Sequence, residues 1–262
     1  TLYIPTNKQT PFKSVKGDFL QPKKFGSINH ARNWKKKFHN TNIDIHGLDS
    51  WEYTYINESF PSDIEFDLKQ LNILCIDIEC ECESGFPEPI DAEEKVNAIT
   101  MKLFGHDTIH VIGTDNFDFK TDNPNIEYHK CQHEKQLLTT FMKVWKELNP
   151  DIVTGWNVES FDMAYLINRI WKLFNWDTAT KLSPHNLLTS REWFYMGQKK
   201  QIAYNISGVA TLDYLQMYKK FTYITRETYR LDHITEVELG KKKIDYSEFG
   251  AMHLFYKNDY QK

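Results

Sequence analysis

Long apolar runs are missing from this chain: nowhere in its 262 residues does one approach the roughly 20 needed to cross a bilayer. The N-terminus also lacks the charged-then-apolar order of a signal peptide, so a soluble, intracellular protein that engages no membrane is expected. Cysteine is scarce as well. The four present, Cys75, Cys80, Cys82 and Cys131, form no C-x-x-C pair and have no matching histidines. That argues against a disulfide scaffold or a cysteine-built zinc site and for reduced thiols. Neither repeats nor coiled-coil heptads appear, so a monomer is expected. With 40% hydrophobic and 15% aromatic residues, the chain can bury a real core in one large domain or two smaller ones.

The net charge of -4 conceals a polar distribution. Residues 1–40 carry Lys8, Lys13, Lys16, Lys23, Lys24, Arg32, Lys35, Lys36 and Lys37 against the single acid Asp18. From Asp77 to Glu94 there are eight acids and no base. A basic flank and an acidic pocket point to a polyanion and to metal ions.

The stretch from Leu71 to Cys82, LNILCIDIECEC, organises the rest. Its apolar residues make a run of strand length, interrupted by Asp77 and followed by Glu79. Residues two apart in a strand share a face, so these carboxylates project side by side. Like charges held that close repel unless a cation lies between them. The competing reading is an acidic surface loop that starts directly after a core strand.

Residues 1–65 read as a separate, basic α+β domain and residues 66–262 as a second one. TLYIPT reads as a strand, and Ser27 caps a helix with Ala31, Trp34 and Phe38 on one side. Lys35 and Lys36 on its other faces suit phosphate contact, or simply a solvated lysine face. Trp51, Tyr53 and Tyr55 alternate as in a half-buried strand. After the organising strand, a loop from Glu83 to Lys95 carries Phe86, placed either to stack on a base or to plug the loop onto the core. Ile99 to Phe104 and Ile109 to Ile112 read as a hairpin joined by Gly105-His106-Asp107. A helix starts at Glu134 and closes before Pro150. Asp151 to Thr154 is a short strand, and a second helix follows, with Ser160 as its N-cap and Asp162 in its first turn. At that position helix capping alone could explain an acid. Three antiparallel strands, a helix, a strand and a helix resemble the ribonuclease H-like mixed α/β sheet. In such a sheet Asp77, Glu79 and Asp162 converge, and three carboxylates suit Mg²⁺ or Mn²⁺.

CIDIEC at Cys75 to Cys80 and GWNVESFDMAYLINR at Gly155 to Arg169 resemble the first and second motifs of the DEDD 3′-5′ exonuclease of family B DNA polymerases, in the T-even bacteriophage form. TLYIPTNKQTPF at the start, GVATLDYLQMYKKF at Gly208 to Phe221 and YRLDHITEVELGKKKIDY at Tyr229 to Tyr246 are similar to the same subgroup. The second motif is the specific one, because D-I-E alone is short and common. The resemblance implies a proofreading exonuclease and N-terminal region of a replicative DNA polymerase, working in the cytoplasm of a bacterial host. Asp77, Glu79 and Asp162 fall on the positions that hold two catalytic Mg²⁺ or Mn²⁺ ions. Asn157 and Phe161 match positions that hold the terminal nucleotides. Ile202 to Ala210, with Ser207-Gly208 at a tight turn, looks like the hairpin that reaches toward duplex DNA. Single-stranded and primer-template DNA are the implied substrates. The remainder of the polymerase, and a sliding clamp reached through its C-terminus, are the implied partners.

The family's third motif, Y-x-x-x-D, is the departure. Tyr229 with Asp232 and Tyr256 with Asp259 have a different spacing, and neither pair is assigned as a ligand. The chain reaches Lys262 before the helix that should carry the motif, so residues 1–262 alone are expected to cleave weakly or not at all. Two other readings stand beside this one: a non-catalytic nucleic-acid-binding module that works through the basic N-terminal segment, and a standalone DEDD ribonuclease.

Overall fold

The computed structural model describes residues 1–262 except 39, 48–50, 64, 83–84, 115–119, 196–198, 243–247, 249–253 and 255–262. Two compact units divide at Phe66 and Asp67. In the first, strands β1 (Leu2–Pro5), β2 (Phe12–Lys13) and β3 (Phe19–Lys23) form an antiparallel sheet in the order β1-β3-β2. Helix α1 (Ile28–Lys37) begins where the Ser27 side chain accepts the His30 N–H at 3.2 Å. Ala31 is buried, and Trp34 packs between Phe25 and Phe38 at 5.4 and 4.6 Å. The lysines of its last turn, Lys35, Lys36 and Lys37, lie where the helix dipole favours cations.

The residues expected as a strand around Trp51 are instead helix α2 (Trp51–Ser59). Alternation marks a strand when one face is buried, but Tyr53 and Tyr55 are 63% and 65% exposed. Their spacing therefore carries no burial signal, and Glu52 in the first turn favours the helix.

The second unit is built on a six-stranded mixed sheet in the order β11-β8-β4-β5-β6-β7. Strands β4 (Ile73–Cys80), β5 (Val96–Leu103) and β6 (Ile109–Thr114) are the expected antiparallel meander, and β7 (Ile126–Cys131) adds to β6 in parallel. Helix α3 (Glu134–Leu148) follows, ending on Asn149 in the left-handed region at φ 42°. It lays Leu137, Leu138, Phe141 and Trp145 against the sheet. Strand β8 (Ile152–Gly155) runs parallel to β4, and α4 (Asp162–Leu173) and the short α5 (Trp176–Thr180) come next.

Strands β9 (Leu188–Tyr195) and β10 (Lys199–Ile206) pair with each other, outside the main sheet. Strand β11 (Ala210–Asp213) rejoins it beside β8, and helices α6 (Tyr214–Phe221) and α7 (Leu231–Leu239) follow. The hairpin is thus β9–β10, and its tip lies outside the described residues. Ser207-Gly208 does make the expected tight turn, with the Val209 N–H donating to Ile206 O at 2.9 Å, but that turn leads from β10 into β11 and is not the tip of the hairpin. Gly208 is required there: its φ is +91°, and a Cβ would meet Pro184 Cγ at 2.6 Å.

Burial along β4 alternates strictly from Leu74 to Ile78. Leu74, Ile76, Ile78 and Cys80 enter the core shared with α3 and α4, whereas Cys75, Asp77 and Glu79 face the other way. One face of this strand is buried, not two.

Candidate functional site

The sequence of β4 places Asp77 and Glu79 on its more open face, and a register shift against β5 falls between Glu79 and Cys80. Such a bulge re-aims the side chains beside it. Pairing with β8 covers Ile73 to Cys75 only. Beyond that point the chain turns away at Gly155, which passes so close that an added Cβ would lie 2.6 Å from Ile76 O. The Ile78 N–H is therefore left outside the ladder, and the Asp162 carboxylate accepts it at 3.1 Å.

Asp162 is the first residue of α4 and only 3% exposed. Phe161, not Ser160, occupies the N-cap and makes no side-chain cap. Helix capping thus leaves unexplained why Asp162 reaches across to β4. Burial first, and then the charge of Asp77, push its carboxyl up to about 8. Glu79 adds to the effect.

All three carboxylates line one cleft of about 1040 Å³. They share a cleft without forming one tight cluster: among the described residues, the set of ligand atoms all within 4.8 Å of one another lies elsewhere, at His110, Glu127 and His129. Of the acids from Asp77 to Glu94 that the structure describes, Asp77 and Glu79 reach the cleft. Others are engaged elsewhere: Glu81 pairs with Lys95 at 3.7 Å, and Glu93 pairs with Lys172.

Phe86, Asn157 and Phe161 line the same cleft. Phe86 is 74% exposed and does not plug the core; its ring lies 5.2 Å from that of Phe161. Asn157 sits in the left-handed region at φ 65°. Buried Asp213 holds that turn, accepting the N–H groups of Asn157 and Glu159 at 3.2 Å each and capping α6 through Leu215 at 3.0 Å. Sequence reasoning passed over Asp213, although an acid between an apolar strand and a helix is an N-cap signal. Ser207 and Gly208 do not line the cleft, and Lys35 and Lys36 belong to the other unit.

Helix α4 also anchors the loop that carries Phe86. Arg169 pairs with Glu134 at 2.7 Å and donates to the carbonyls of Ala92 and Glu93 at 2.9 and 2.7 Å. Asn168 donates to Pro89 O at 2.8 Å, and the Tyr165 hydroxyl to Glu94 O at 2.7 Å. The opposite wall comes from the start of α7 and the residues before it, including Tyr229, Asp232 and His233. Trp156 ties the two walls together, donating to Tyr229 O at 3.2 Å and packing on Tyr218 at 5.7 Å. The signal for that wall was the segment from Tyr229, noted without any assigned role.

The donor set is all oxygen, with one carboxyl forced toward its neutral form by burial and a like charge. A bound cation would relieve both effects, so these residues fit hard divalent ions.

Residues 20–234 match the family model described as DNA polymerase family B, exonuclease domain. The DNA-directed DNA polymerase of Escherichia phage RB69 is 29% identical over 267 residues, covering 93% of this chain and 30% of the relative. That of Enterobacteria phage T4 is 27% identical over 272 residues, with the same coverage. The DNA polymerase catalytic subunit of Human herpesvirus 8 type P is 26% identical over 191 residues, 67% of this chain and 18% of the relative. The chain therefore spans about a third of the length of its phage relatives. With a matched segment running from the first unit through β4, α4 and into α7, the chain belongs to the family B DNA polymerase exonuclease-domain family.

Proposed function

We propose that the cleft between β4, the start of α4 and the start of α7 is a proofreading 3′-5′ exonuclease site, removing the terminal nucleotide of single-stranded or frayed DNA. The observation that carries this reading is the convergence of Asp77, Glu79 and Asp162 with the Phe86–Phe161 pair in one cleft. The strand order, with β4 flanked by antiparallel β5 and parallel β8, supports the ribonuclease H-like reading of the sheet.

When bound, two Mg²⁺ or Mn²⁺ ions supply a water of lowered pKa and charge stabilisation for the departing 3′ oxygen. Asp77, Glu79 and Asp162 would be the residues that hold these ions. Glu79, beside the bulge in β4, would help position a water for attack. Asp162 is fixed from two elements, its own helix and the Ile78 amide, so its position resists displacement. Phe86 and Phe161 offer ring faces to an unpaired terminal base, a contact worth about 1–3 kcal/mol per base. Asn157 orients the terminal nucleotide. Frayed ends are favoured because a mismatched base costs less to unpair.

The test is shortening of a 5′-labelled single strand in Mg²⁺ and in Mn²⁺, by this chain and by the same chain joined to the polymerase sequence that follows it in the relatives. Weak cleavage by the chain and strong cleavage by the longer form are expected, with Asp77→Ala or Asp162→Ala abolishing the latter. Cleavage that survives both substitutions sinks the proposal.

A further inference from the structure

A second cluster lies away from the cleft, at the edge of the sheet. His110 on β6 stands directly opposite Glu127 on β7 in the parallel register, and His129 follows two residues later on the same face of β7. His110 Nδ1 and His129 Nε2 are 3.3 Å apart. His110 Nδ1 lies 3.4 Å from Glu127 Oε2, and His129 Nε2 lies 3.4 Å from the other oxygen, Oε1. The two rings are stacked, with centroids 5.6 Å apart.

Those separations carry the argument. A zinc ion with bonds of about 2.0–2.1 Å to nitrogen and oxygen in a tetrahedron holds its ligand atoms about 3.3–3.4 Å apart. The nitrogen–nitrogen separation and one nitrogen–oxygen separation fall on that edge length; the other 3.4 Å contact is to the second oxygen of the same carboxylate, and one ligand atom from each of the three residues lies within 4.8 Å of the other two. The surroundings also suit an ion: the histidine side chains are 15% and 22% exposed and that of Glu127 56%, so the sheet walls one side and solvent reaches the other. Burial lowers the basicity of His129. From α3, Glu147 and Lys143 bring opposite charges near it, and they pair with each other at 3.9 Å.

We propose that His110, Glu127 and His129 form a binding site for one zinc ion, with a fourth position open to water. Imidazole-rich sets select borderline ions, whereas the three carboxylates of the cleft suit Mg²⁺ or Mn²⁺, so the chain would sort two kinds of metal into two places. An ion here staples the edge strand β7 to β6.

The test uses the full chain carrying Asp77→Ala and Glu79→Ala, which disable the cleft. Calorimetric titration with Zn²⁺ in chelator-treated buffer should give one equivalent bound. Co²⁺ should give the intense visible bands of a tetrahedral site. Losing a supporting neighbour of a metal ligand typically weakens binding about 10–100-fold. Losing a ligand itself through His110→Ala or His129→Ala should therefore exceed about 100-fold and remove the cobalt bands. Glu127→Gln, on a half-exposed side chain that the fold does not need, serves if a histidine variant fails to fold; it should also weaken binding. No stoichiometric zinc, only weak octahedral cobalt absorption, or zinc binding unchanged by these substitutions overturns the proposal.

Discussion

At the scale of single residues, Asp162 makes the sharpest physical statement. Its carboxyl is pushed up to about 8 by burial and by Asp77, so without metal the folded state holds a proton that the unfolded state releases near pH 4. Between those values the folded state binds more protons, and stability falls as pH rises. In a chelating buffer the melting temperature should therefore drop from pH 5 to pH 8, and Asp162→Asn should flatten that drop. Mn²⁺ should raise the melting temperature more at pH 8 than at pH 5, because it binds the ionised form. Parallel profiles for the two proteins would show that the carboxyl ionises freely. Asp77, Glu79 and Asp162 were all legible in the sequence, because acids inside or beside apolar segments need a cause. Asp213 was not: its carboxylate serves backbone amides on two separate segments, a role visible only once the chain has folded.

At the scale of elements, the cleft exists because β8 stops pairing with β4 and turns at Gly155. An added methyl group there would meet the Ile76 carbonyl at 2.6 Å, and a backbone atom cannot swing aside as a side-chain end can. Gly155→Ala should cost about 1–3 kcal/mol in urea unfolding, the usual range for overpacking, and should weaken Mn²⁺ binding by moving Ile78 relative to Asp162. Unchanged metal affinity with lowered stability would separate the turn from the site. Elements with a strong period were readable in advance: α3 begins at Glu134 as its apolar stripe predicts, and the β4–β5–β6 meander follows the hydrophobic runs. The segment from Trp51 is a helix despite its aromatic alternation because those rings are exposed, and β7 gives little signal because its charged and polar residues, IEYHKC, show no strong apolar pattern. Among the described residues, strand β7 is an edge, where one side of the ladder faces no further strand.

At the scale of the whole molecule, charge is divided between the units. The basic segment of residues 1–40 belongs to the first and the acidic cleft to the second. If Lys35 and Lys36 contact phosphates, neutralising both should make the plot of log affinity for single-stranded DNA against log salt shallower by about 1.4, from about 0.7 per contact. That decrease is the expected outcome. An unchanged slope would mean that these lysines only complement the C-terminus of α1. Among the described residues no helix is long and apolar enough to cross a membrane, which agrees with the absence of long apolar runs.

Local order in this chain came from the sequence: apolar period set α3 and α4, Ser27 set the start of α1, and the residue types of CIDIEC and SFDMAY marked where chemistry would need carboxylates. These effects act over a few positions along the chain, so they can be read there. Tertiary structure decided which distant groups meet: Asp162 with the Ile78 amide, Arg169 with the loop at Ala92, and His110 with Glu127 and His129. Those meetings depend on strand register and on where pairing ends. Backbone hydrogen bonding settles both between segments whose separation in sequence carries no record of it.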